Sequence, residues 1–117
     1  MDDLPNFDKN GICYLQGEKS EKVVLHKALW EKKIARPERG FLQFNFAKIK
    51  ETLKSPDHKR ISRQCKTDQI LYKHFEKVWI LPNISAPLLK NYIVVIVGEK
   101  DNLKYIKTIY TADRLKK

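Results

Sequence analysis

The chain is poor in the features that announce many small-protein chemistries. It holds two cysteines, Cys13 and Cys65, too few for a disulfide framework and wrongly spaced for a metal site. In a reducing compartment such residues stay free thiols, and no signature around either marks a nucleophile. Its three histidines, His26, His58 and His74, are not spaced with cysteines or carboxylates as metal ligands would be, so neither metal nor other cofactor is expected. No apolar run approaches the roughly 18 residues of a membrane span; the longest, 93–97, has the length of a strand. The opening Met-Asp-Asp-Leu-Pro has neither the basic region nor the apolar stretch of a signal peptide. The expectation is a cytoplasmic protein with no membrane role. Internal repeats, low-complexity segments and interdomain linkers are also lacking. The 117 residues therefore suit one domain, with 1–20 as an N-terminal arm, in which 12–15 could pair as an edge strand, and 21–117 as the folded unit.

Acidic residues are scarce beside basic ones. Lys and Arg total 24 against 14 Asp and Glu, a net charge of +10. Such an excess attracts phosphate backbones or anionic surfaces. It can also be nothing more than a solvated surface. The charge becomes informative only where it meets aromatic and hydroxyl residues on one face.

Periodicity supplies the faces. Val23-Val24-Leu25 reads as a short strand before a helix over 27–35, in which Leu29, Trp30 and Ile34 form an apolar stripe that Pro37 ends. A second helix starts after Asn45 as N-cap, with Phe46, Ile49 and Leu53 on one side and Ser55-Pro56-Asp57 as its stop. Strands follow over 58–63, 69–75, 78–81, 92–97 and 103–111, with 82–87 as a loop and 98–102 as a turn. This order predicts an α+β fold with two N-terminal helices packed on one face of a roughly four-stranded antiparallel sheet. Ile61, Leu71, Phe75 and Ile109 would face the helices. Period-two alternation then sets His58, Arg60, Ser62, Tyr72, His74, Thr108 and Tyr110 on the opposite face. Ile106 competes with Ile109 for the core, and a one-residue slip would exchange the faces of the last strand. A polar, aromatic and basic sheet face suits RNA, whose bases stack on rings while cations and hydroxyls hold phosphates and sugars.

Three stretches carry a resemblance: Trp30-Glu31-Lys32-Lys33-Ile34-Ala35-Arg36-Pro37-Glu38, Ile49-Lys50-Glu51-Thr52-Leu53-Lys54-Ser55-Pro56-Asp57, and Thr108-Ile109-Tyr110-Thr111. Between the last two lie Leu71-Tyr72-Lys73 and Ile93-Val94-Val95-Ile96-Val97. In this order they resemble the phage-type barnase–EndoU–colicin–RelE-like (BECR) nuclease superfamily over most of the chain, about 24–115. The resemblance implies a single nuclease domain over 21–117. It further implies a metal-independent ribonuclease that activates the ribose 2′-hydroxyl, stabilises the phosphorane and protonates the leaving oxygen. Where many relatives carry histidines in the first helix and before the Pro-Glu, this chain has Lys33 and Arg36. The closing motif has Ile109 in place of alanine. Toxin-type relatives with a RelE-like site are thought to use Lys, Arg and Tyr instead.

On that reading Arg36 clamps a phosphate and Glu38 orients it or acts as a base; the plain alternative is an ion pair at a helix end. Arg60 and Tyr72 join them, with Tyr110 closing the catalytic set and His74 as a proton carrier, histidine ordinarily titrating near neutrality. Lys33, His58, Ser62, Lys73, Thr108 and Thr111 are the candidate RNA contacts. Each has a bland counterpart in solvated helix surface or sheet packing. RNA is the expected partner, joined by an acidic antitoxin or immunity protein if the chain acts as a toxin. A noncatalytic nucleic-acid-binding module using the same basic face is the alternative.

Overall fold

The computed structural model describes residues 5–34, 46–79 and 89–112. Alternation sets its first element. In β1 (Ile12–Gln16) Cys13 and Leu15 are buried while Tyr14 and Gln16 are exposed, the period-two signature of a strand with one face on the core. A 3-10 turn at Glu18–Ser20 reverses the chain into β2 (Lys22–His26), which pairs antiparallel with β1, Cys13 opposite Leu25.

One helical turn, α1 (Lys27–Leu29), runs directly into a π-helical turn at Trp30–Ile34. So short a segment cannot stand on helix propensity. Buried Trp30 anchors it, its ring edge-on to Phe46 with centroids 5.5 Å apart. α2 (Phe46–Lys54) buries Phe46, Ile49 and Leu53 on one side, the i, i+3, i+7 stripe of its sequence. Thr52 is buried with them and donates its hydroxyl to the Lys48 carbonyl at 2.8 Å, so its burial leaves no polar group unpaired.

Four strands follow: β3 (His58–Ile61), β4 (Gln69–Trp79), β5 (Leu89–Lys100) and β6 (Leu103–Ala112). Between β5 and β6 only Asp101 and Asn102 intervene, both at positive φ (54° and 65°). That is the backbone of a two-residue hairpin turn, which Asp and Asn tolerate.

The sheet has six strands in the order β1-β2-β6-β5-β4-β3. All neighbours run antiparallel except β2 and β6, which pair in parallel through Val23 with Lys104 and Val24 with Tyr105. The expected arrangement, two N-terminal helices on a four-stranded antiparallel sheet, is therefore wrong. The sheet is mixed and larger, and a strand hairpin precedes both short helical segments. The physical reason lies at β6. An edge there would expose a long row of unpaired backbone groups, and β2 covers its beginning, at Lys104 and Tyr105. Short runs such as 12–15 and 23–25 do not reveal such a distant partner. Of the separately expected strand at 78–81, Val78 and Trp79 are the end of β4, continued past a register shift between His74 and Val78; residues 80 and 81 lie outside the described residues.

Above one face of the sheet, α2 and Trp30 close a core built from Leu15, Val23, Leu25, Leu71, Ile93, Val95, Val97, Ile106 and Ile109. Ile106 and Ile109 both enter it, at 2% and 0% exposure. Three apart on a strand, they would normally point to opposite faces. A bulge reconciles them: Thr108 opposes Ile96 but Ile106 opposes Val97, leaving Lys107 as the extra residue. Ile61 is 53% exposed rather than core. The two cysteines, Cys13 buried and Cys65 half-buried, form no disulfide.

Candidate nucleic-acid interface

The strand register puts side chains of the second sheet face in rows. One row crosses four strands as His58, Tyr72, Val94 and Tyr110; the next is Arg60, Ile70, Ile96 and Thr108; a third is His74, Tyr92 and Ala112. Their odd-numbered neighbours Leu71, Ile93, Val95 and Ile109 fill the main core, so these rows face away from the helices. His58, Arg60, Tyr72, His74, Thr108 and Tyr110 thus share one face.

The centre of that face is packed. Ile70, Tyr72 and Val94 form a second, smaller apolar cluster with Tyr92, Ile96, Tyr110 and Ala112 at its margin. Tyr72 is only 2% exposed, so its ring is packing rather than a free stacking platform. Its phenol oxygen accepts a hydrogen bond from Arg60 Nε at 3.3 Å, and Tyr110 stands in the same cross-strand row, two strands away. Burial first, then the Tyr72 phenol, pushes the Tyr110 phenol above the ordinary tyrosine range; the Arg60 guanidinium opposes them. Burial and the Tyr72 phenol thus both favour the neutral form of Tyr110.

Two imidazoles flank Tyr72. His58 is its direct cross-strand neighbour, and His74 stands two residues along β4 on the same face. The His74 ring lies edge-on to Tyr92 with centroids 5.3 Å apart, and its backbone N–H donates to the Asp57 carboxylate at 2.9 Å. That N–H, with Lys73 beside it, holds the Asp57 carboxyl below its ordinary range despite some desolvation.

The other candidates lie elsewhere. Lys73 projects on the helix-bearing face, where its ammonium donates to the Ser55 carbonyl at 2.9 Å and sits 3.7 Å from Asp57. Ser62 is past the end of β3: its N–H donates to the Asp68 carbonyl, and its hydroxyl accepts the Gln64 N–H at 3.2 Å. Register places Thr111 opposite Ile93. Lys33 falls in the π-helical turn, its side chain outside the described residues, as are Arg36 and Glu38 altogether.

Sequence reasoning missed two features of this face. The first is the division of the apolar run 92–97, of which Ile93, Val95 and Val97 enter the main core while Tyr92, Val94 and Ile96 belong to this face. The second feature is an ion pair. Asp68, 8% exposed at its side chain, accepts from Lys107 Nζ at 2.7 Å, and this hydrogen bond raises the Lys107 ammonium above its usual range. Among the described residues no group of His, Cys, Asp and Glu side chains could hold a metal ion, and no helix is long and apolar enough to cross a membrane.

No protein-family model, curated protein or solved structure matches this chain.

Proposed function

We propose that the chain is a metal-independent ribonuclease that cuts RNA by attack of a ribose 2′-hydroxyl on the adjacent phosphate. The observation that carries this reading is the set Arg60, Tyr72 and Tyr110 on one sheet face, Arg60 hydrogen-bonded to Tyr72, with His58 and His74 beside Tyr72. The ordered motifs resembling the phage-type BECR superfamily and the net charge of +10 support it further.

In the proposed reaction the 2′-oxygen bonds to phosphorus while the bond to the 5′-oxygen breaks, leaving a 2′,3′-cyclic phosphate and a 5′-hydroxyl. His74 takes the 2′-hydroxyl proton. Arg60 spends Nε on Tyr72 and offers the rest of its guanidinium to the phosphorane oxygens. Tyr110, held protonated, supplies the proton to the leaving oxygen. His58 and Thr108 contact the flanking phosphate and sugar. Arg36 and Glu38 are added by the resemblance alone, as a phosphate clamp and its partner. If the enzyme is a toxin, an acidic antitoxin would cover this face.

A second reading, a noncatalytic RNA-binding module, is favoured by one observation: Tyr72, at the middle of the set, is 2% exposed. Incubation of the protein with total RNA in EDTA separates the two. Cleavage leaving cyclic-phosphate ends, lowered about a hundredfold or more by Arg60→Ala with Tyr110→Phe, is the expected result. Intact RNA with a salt-sensitive gel shift would establish the binding module instead.

A further inference from the structure

The aromatic face does not end at the proposed site. Continuing across the sheet, Tyr14 on β1, Val24 on β2, Tyr105 on β6 and Gly98 on β5 form another cross-strand row. Cys13, Leu15, Val23, Leu25 and Val97 belong to the main core, so this row faces the same way as Tyr72 and Tyr110. Tyr14 is 55% exposed, and the ammonium of Lys22 lies 4.9 Å from its ring centroid. The Tyr105 ring crosses its strand neighbour so closely that a Cβ on Gly98 would come within 2.9 Å of Cζ. Glycine there lets an aromatic ring lie flat across the sheet. Strand spacing and rise put Tyr14 roughly 19 Å from Tyr110, two strands over and five residues along β6.

We infer that Tyr14, Lys22 and Tyr105 form a distal subsite for single-stranded RNA, stacking bases of a strand that runs from the Arg60–Tyr110 set across β6 and β2 to β1. The inference rests on the ribonuclease reading for its direction. Its chemistry is its own: a half-exposed ring with a cation over it is suited to a base and its phosphate. A duplex keeps its bases stacked on one another and offers none to these rings. Lys107 adds little charge to the track because Asp68 pairs with it, whereas Lys22 supplies a cation directly over the Tyr14 ring.

The test is binding of 2′-O-methyl oligouridylates, which lack the attacking hydroxyl and cannot be cut by this route, to the full chain in EDTA. Lengths of about four and about ten nucleotides are compared. The wild-type protein gains affinity with length, and Tyr14→Ala loses that gain, weakening the longer oligonucleotide about tenfold. Tyr14→Phe keeps it, since a phenyl ring stacks as well. Tyr14 lies exposed on an edge strand, and an unchanged melting temperature for Tyr14→Ala assigns the loss to the ring and not to the fold. Equal length dependence in Tyr14→Ala and wild type overturns the subsite, as does equal affinity for a duplex of the same length. A Tyr14-dependent gain without cleavage of total RNA upholds the subsite and removes the ribonuclease reading. Absence of any RNA binding removes both.

Discussion

Tyr110 illustrates how a single residue's surroundings decide what it does. Its phenol is raised by burial and by Tyr72, so above the ordinary tyrosine range the unfolded chain loses this proton while the folded chain keeps it. The native state then binds more protons, and stability falls as pH rises from about 10 through the folded value. Spectrophotometric titration of the tyrosines should show Tyr110 ionising late, and Tyr110→Phe should flatten the alkaline loss of stability. Asp57 has the opposite sign. Its lowered carboxyl adds stability above the ordinary Asp range, lost as pH falls through the folded value, so Asp57→Asn should weaken the acid limb of a denaturation profile. Gly98→Ala tests the close approach of Tyr105. The ring must move aside, at about 1 kcal/mol, with a matching drop in the urea midpoint. At this scale the sequence was legible wherever strands run regularly: counting by twos brings His58, Arg60, Tyr72, His74, Thr108 and Tyr110 to one face. It failed for Ser62, which lies past the end of β3 in a turn. Nor does counting reveal that Tyr72 is buried.

Elements show where local pattern suffices and where it does not. The stripe of Phe46, Ile49 and Leu53 announced α2, because three apolar residues at helical spacing need only one partner surface. Ile49 is fully buried against the sheet, and Ile49→Ala should cost about 2–5 kcal/mol in chemical denaturation. In β6 the pattern contradicted itself, offering both Ile106 and Ile109 to the core. The bulge at Lys107 satisfies both, and it was illegible because a bulge exists only relative to the opposing strand, here β5. Deleting Lys107 should therefore do more harm than substituting it. Without the extra residue one of the two isoleucines turns to the other face, and far-ultraviolet circular dichroism should show a large loss of cooperative unfolding compared with Lys107→Ala. The first helical segment, expected over 27–35, is helical over 27–34 with its second part π-helical, and Trp30 fixes it by tertiary contact rather than by its own length.

At the scale of the whole molecule, what the sequence concealed was the joining of β2 to β6. The antiparallel neighbours β3 to β6 follow one another along the chain and can be guessed in order. A parallel pair between Val23 and Lys104 has no local signal at all. It also has only two registered pairs, so the β1–β2 hairpin is attached by a short ladder plus the core contacts of Cys13, Leu15, Val23 and Leu25. Hydrogen exchange should reflect this: amides of β5, bonded on both sides, should exchange only on global unfolding, and those of the hairpin through smaller openings. The same junction sets a timetable for biosynthesis. On the ribosome the hairpin emerges early, yet its parallel partner is translated only after nearly everything between them. Until then the ribbon's apolar side has no sheet to join, and the nascent chain must carry it unsatisfied.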